Sequence, residues 1–158
     1  MIKNKDISTI KALVLDIDGV LTDGTANVQG PLVKRIFLRD LDALTMIRKK
    51  GVKIAFLTGE SEDDARPVVD RCGGGLAVYN AKDKEAGISE IARLLDLDLI
   101  DICYVGDARR DVPVLKSVGF GLCPADGDKL AKEGADRILM ASGGRGAVSE
   151  AVDLLLGI

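Results

Sequence analysis

Histidine is absent from this 158-residue chain. That excludes serine–histidine and cysteine–histidine nucleophile pairs, phosphohistidine chemistry and histidine zinc sites. Catalysis would have to run on carboxylates, lysine, arginine, hydroxyls or a bound metal. Cysteine is scarce: Cys72, Cys103 and Cys123 are odd in number and far apart. Such spacing reads as buried, reduced thiols of a cytoplasmic protein rather than a disulfide framework. Neither sign of charge is in excess, the net being −3 with acids and bases interspersed. Nothing in that balance favours nucleic acid or an anionic membrane as partner. The opening MIKNKDIS lacks an apolar core, so no secretory leader is expected. No apolar run approaches the roughly 20 residues of a membrane span.

What remains is the composition of one globular domain, 47% apolar and 30% charged, taken to span residues 1–158. A chain of this length buries roughly 70% of its unfolded surface and needs no staple. Short apolar runs at 12–15, 53–57, 76–79, 102–105, 120–122 and 137–140 alternate with amphipathic stretches at 41–50, 62–71, 84–95, 111–118, 127–133 and 146–155. Strands alternating with helices predict an α/β fold: a three-layer, doubly wound parallel sheet with right-handed crossovers and no lid domain. One segment breaks the rhythm. TANVQGPLVKRIFLR, residues 25–39, reads as a β-hairpin turning near Gln29-Gly30-Pro31.

Open parallel sheets bind ligands beyond the carboxyl ends of their strands, so strand ends are the candidates. The first strand runs out in LVLDIDGVLTDG, where Asp16 and Asp18 stand two positions apart ahead of Gly19. The second ends in Thr58-Gly59-Glu60, Lys84 follows the third, and the fourth ends in Gly106-Asp107 with Asp111 one turn later. Asp16, Asp18 and Asp107 at one sheet edge would repel one another unless a divalent cation sat among them, and an oxygen cluster suits Mg²⁺. A phosphate would then meet the metal, Lys84 and backbone N–H groups near Gly19 and Gly59. Asp16 is placed to attack phosphorus, and Asp18 to protonate the leaving alcohol and then activate water. Gly19 lets the chain turn without a side chain blocking the phosphate.

Blander readings compete. Aspartates before glycine can be a plain turn; a calcium loop fails because Gly19 comes too early and Asn27 stands where the closing glutamate belongs. Lys82 rivals Lys84, Asp107 and Asp111 suit helix caps, and Ser61 reads as an N-cap. Glycines at the start of GGRGAVSE, residues 143–150, stand ahead of a helix, either as an anion site or as a plain loop.

The order DIDGVLTDG, TG, a lone lysine and GDxxxD resembles the haloacid dehalogenase superfamily of phosphatases. The resemblance implies Asp16 as nucleophile, Asp18 as acid and base, and Thr58 and Lys84 on the phosphate. It places the metal on Asp16, Asp107 and the Asp18 carbonyl, with Asp111 in support. DIDGVLTDG, FLRD and GGRGAVSEAVDLLL resemble one branch, the 3-deoxy-manno-octulosonate 8-phosphate phosphatases. That branch is lidless, tetrameric and Mg²⁺-dependent, and acts on a small sugar acid phosphate of cell-surface polysaccharide synthesis. Residues 25–39 are then expected to pair between chains in a homotetramer. A substrate carboxylate calls for a cation, and Arg145, Arg71 and Arg66 are the candidates. Glu60 replaces the branch's usual arginine, which tilts the reading toward the sister group acting on 2-keto-3-deoxy-nonulosonate 9-phosphate. Ala108 replaces a second acid, Leu41 a glycine, and a tail beyond Ile158 that would reach a neighbour's site is not expected. The alternatives are a phosphatase of another sugar phosphate or of a macromolecule, and a non-catalytic assembly module of a nucleotide-sugar pathway.

Overall fold

The structure, a computed structural model, describes residues 5–158; the first four residues of the opening used to judge a leader lie outside them. Six strands form one parallel sheet: β1 (Ala12–Leu15), β2 (Lys53–Leu57), β3 (Leu76–Val78), β4 (Ile102–Val105), β5 (Phe120–Cys123) and β6 (Arg137–Ile138). Their order is β3-β2-β1-β4-β5-β6. Chain direction across the sheet therefore reverses between β1 and β4, where such folds open a crevice.

The intervening helices are α1 (Leu38–Lys49), α2 (Glu62–Arg71), α3 (Lys84–Leu95), α4 (Val112–Ser117), α5 (Lys129–Gly134) and α6 (Ala147–Leu156). Every residue of β1 and β4 is buried, as a strand covered on both faces requires. Leu13, Leu15, Phe56 and Val105 face α1, α2 and α6 through Leu44, Ile47, Val68 and Val148. Val14, Leu57, Ile102 and Tyr104 face α3 and α4 through Ile88, Ile91, Val114 and Leu115. Truncating any one of these large side chains to alanine costs about 2–5 kcal/mol. Asp40, buried in the first turn of α1, accepts from Ser149 N–H and Oγ–H at 2.9 Å each and ties α1 to α6.

The hairpin expected at 25–39 is not formed. The chain does turn at 28–31, with Gly30 at φ +84° and Asn27 Nδ2 donating to Pro31 O at 3.2 Å. No strand flanks the turn, and residues 37–39 instead lead into α1. The physical reason is exposure: Val28 is fully exposed and Leu32 and Val33 nearly half so. Two short arms without a face to bury do not sustain a ladder.

Candidate active site

Asp16 follows β1 directly and is still held by the sheet, its N–H donating to Val105 O of β4 at 3.0 Å. Oδ1 accepts from Ile17 N–H at 2.7 Å, and Oδ2 pairs with Lys84 at 3.1 Å. The chain then wraps, with Val20, Leu21 and Thr22 N–H all donating to Ile17 O. Gly19 takes φ +84°, and a Cβ there would collide with the Asp107 carboxylate. The missing side chain thus lets the first and fourth motifs close on each other.

Lys84 opens α3, whose N-cap Asp83 accepts from Ala86 N–H at 3.0 Å. Its Nζ contacts Asp16 Oδ2, Asp111 Oδ1 and Leu57 O at 3.1 Å each and the Tyr104 hydroxyl at 3.3 Å. Burial draws the ammonium down, but the Asp16 and Asp111 carboxylates more than offset it and hold Lys84 above the ordinary lysine value. Thr58, at the end of β2, is buried, and its Oγ1 accepts from Glu60 N–H at 3.1 Å.

Asp111 is fully buried and fully occupied. Oδ1 accepts from Tyr104 O–H at 2.6 Å besides Lys84, and Oδ2 accepts from Asp107 and Ala108 N–H at 3.0 and 2.9 Å. Asp107 is the opposite case: its Oδ1 is buried and has no hydrogen-bond partner among the described residues. Carboxylate oxygens of Asp16, Asp107 and Asp111 lie within 4.8 Å of one another. Burial, then the charge of Asp111, push Asp16 up to about 8 and Asp107 up to about 7. As carboxylates, these three against one ammonium leave an excess of negative charge that a divalent cation would neutralise. The orphaned oxygen and the hard-oxygen donor set fit such an ion, with Asp16 and Asp107 as donors and Asp111 orienting Asp107.

These groups line a cavity of about 260 Å³ together with Asp18, Gly59 and Glu60. Asp18 is not free within it. Lys34, from the irregular 25–37 segment, reaches its two oxygens at 2.8 and 2.6 Å, and Thr22 Oγ–H donates to it at 3.0 Å. Lys34 carried no signal in the sequence, because its place depends on how an irregular loop folds back. Lys82 and Arg110 also line the cavity. Both had a signal, Lys82 as the rival of Lys84 and Arg110 inside the GDxxxD motif itself.

The three arginines expected on the substrate are not brought to this cavity in the chain. Arg66 pairs with Glu62 along α2, as i and i+4 neighbours do. Arg71 lines a separate cavity of about 600 Å³ between residues 32–36 and α2. Arg145 is exposed near Asp23, because the 143–146 loop packs on the outside of the first motif: Gly144 N–H donates to Val20 O at 2.9 Å and Gly143 N–H to Asp126 Oδ1 at 2.9 Å. Those two N–H groups are therefore spent within the protein rather than offered to an anion. The cysteines are unpaired and buried, and burial pushes Cys72 up to about 11 and Cys123 up to about 12, which disfavours a thiolate nucleophile. Among the described residues, no helix is long and apolar enough to cross a membrane.

The haloacid dehalogenase-like hydrolase family matches residues 34–119. A curated relative, the 3-deoxy-D-manno-octulosonate 8-phosphate phosphatase KdsC of Salmonella typhi, is 34% identical over 152 residues, 93% of this chain and 79% of its own. A crystal structure of the Moraxella catarrhalis enzyme of that name, in complex with magnesium, phosphate and a KDO molecule, superposes with a TM-score of 0.89 at 27% identity, covering 96% of this chain and 88% of its own. The cobalt-bound Haemophilus influenzae phosphatase also gives 0.89, at 27% identity over 96% of this chain and 90% of its own. The chain belongs to the haloacid dehalogenase-like hydrolases. Within them it is a phosphoric monoester hydrolase, like these relatives in sequence and structure.

Proposed function

We propose that this enzyme removes phosphate from a 2-keto-3-deoxy sugar acid, with Mg²⁺ as the divalent ion. The observation that carries the reading is the meeting of Asp16, Lys84 and the orphaned Asp107 oxygen across one small cavity at the β1–β4 switch point. The metal, held by Asp16, Asp107 and the Asp18 carbonyl, would supply charge neutralisation at the phosphoryl oxygens. Asp16, as the carboxylate that the metal and Lys84 together would favour, attacks phosphorus as the ester P–O bond breaks, and the Asp18 carboxyl gives its proton to the departing alkoxide. Asp18, now a carboxylate, takes a proton from water; the hydroxide attacks phosphorus, the Asp16–phosphate bond breaks, and phosphate leaves. Thr58 and the Gly59 N–H hold the phosphoryl group meanwhile. In step one Asp18 must carry a proton, so its ion pair with Lys34 has to loosen as substrate arrives.

Two sugar acids fit this chemistry. The curated and solved relatives named above are octulosonate 8-phosphate phosphatases, whereas Glu60 at the cavity mouth suits the hydroxyl-rich chain of nonulosonate 9-phosphate. The exposed apolar side chains of Val28, Leu32 and Val33 support assembly of four chains around residues 25–37. Three unpaired thiols support a cytoplasmic setting. Phosphate release from both esters, with Mg²⁺ and with EDTA, tests the reading. Turnover of at least one ester that EDTA stops is the expected result, and turnover untouched by EDTA would overturn the metal's part in it.

A further inference from the structure

The cavity has a depth order. Asp16, Thr58, Lys84 and Asp111 are buried at its floor, Gly59, Glu60 and Ala108 are half-buried, and Lys82 and Arg110 are exposed at its mouth. At about 260 Å³ it lies below the ~300–1,000 Å³ of ordinary small-molecule sites, so it holds the phosphoryl end and the rest of the substrate must cross the mouth. Two cations wait there. Lys82, from the loop before α3, donates to Gly59 O at 2.8 Å. Arg110, from the turn before α4, brings Nη1 to 3.6 Å from where a Cβ on Gly59 would lie. Two different elements thus aim positive charge at one residue.

Arg109, beside Arg110 in sequence, is neutralised by Asp128. Among the described residues Arg110 has no hydrogen-bond or ion-pair partner, and Lys82 bonds only a carbonyl. Ala108, which also lines the cavity, offers a methyl group and no opposing charge. Glu60 is the acid that lines the mouth with them, and among the described residues no ion pair joins it to either cation, so two positive charges facing one carboxylate leave room for a second anion there.

Resting on the sugar acid phosphatase reading, we propose that Lys82 and Arg110 are its specificity residues, clamping the substrate's carboxylate at the mouth while the phosphoryl group sits below. Arg110 supplies the planar fork that matches a carboxylate, and Lys82 a movable point charge. Glu60 takes hydroxyl groups between them.

The test is a ratio. Specificity constants are measured for a 2-keto-3-deoxy sugar acid phosphate and for glucose 6-phosphate, whose body is neutral, in wild type, Lys82→Gln, Arg110→Gln and the double variant. The sugar-acid-to-neutral ratio should fall roughly tenfold per charge removed, chiefly through KM, and Arg110→Lys should restore part of it. A ratio within twofold of wild type in the double variant would overturn the clamp. Raising the salt concentration on the wild-type enzyme should lower the same ratio by screening, a readout independent of how any variant folds; a ratio indifferent to salt also counts against it. A wild-type enzyme inert toward both esters and p-nitrophenyl phosphate would instead overturn the phosphatase reading, and the clamp with it.

Discussion

Floor and rim of the same cavity are built in opposite ways. On the floor Lys84 has four partners and Asp111 four, and both residues are themselves buried, Lys84 at the start of α3 and Asp111 immediately before α4. At the rim Lys82 and Arg110 stand in solvent, and Lys34, which reaches Asp18, comes from an irregular loop whose Val28 is fully exposed. On the proposed mechanism, chemistry falls to groups whose positions the sheet dictates, and the proposed selection of substrate to groups that exchange at little expense to folding. Buried polar groups with every partner in place tolerate no loss, because whatever remains is stranded without water.

The comparison breaks hardest at Asp16. If Asp16 attacks as proposed, Asp16→Asn removes the attacking oxygen while keeping shape, so phosphate release should drop by about 10³-fold or more with an unchanged circular dichroism spectrum. Turnover close to wild type would move the nucleophile elsewhere. Next comes Gly19→Ala. Its Cβ collides with the Asp107 carboxylate at positive φ, so the fold should lose about 2–4 kcal/mol in urea titrations and metal affinity should fall with it.

A third measurement concerns charge on the floor. Burial and the charge of Asp111 push Asp16 up to about 8 and Asp107 up to about 7, far above an unfolded aspartate at about 4. Between those values the folded chain holds protons that the unfolded chain has lost, so their contribution to stability is full below about pH 4 and drains away as pH rises toward 8. A divalent cation takes the deprotonated form. Saturating Mg²⁺ should therefore raise the melting temperature by about 5–10 °C near pH 8 and much less near pH 5. An equal shift at both would show that the ion binds elsewhere. The smallest effect belongs to an outer residue: Arg66→Ala loses only an exposed pair along α2, worth under ~0.5 kcal/mol, and the specificity constant for a sugar acid phosphate should stay within twofold.

The same division explains what could be read from the amino acids alone. β1, β2, β4, α2 and α3 fall where periodicity and punctuation put them, since buried runs between caps such as Ser61 and Asp83 leave little freedom. β6 shrinks to Arg137–Ile138, an exposed edge where apolar content overstates pairing. The hairpin read over residues 25–39 kept its turn but not its strands, because two arms without a covering face do not sustain a ladder. Asp16, Thr58, Lys84, Asp107 and Asp111 were readable as strand-end residues. Whether Arg66, Arg71 and Arg145 reach this cavity within the chain was not readable, because the reach of a long side chain depends on how the surrounding loops pack and on which neighbour captures it first, as Glu62 captures Arg66.

One hydrogen bond carries a consequence beyond the site. Asp16 N–H continues the ladder between β1 and β4, next to the paired residues Leu15 and Val105 at the centre of the sheet. The proposed nucleophile is thereby a rung of the most protected part of the molecule. Its amide should exchange with deuterium only when the whole chain opens, and heating should extinguish turnover and fold in a single transition. A loop bearing the same carboxylate would have let function fade first; here the catalyst survives as long as its scaffold does.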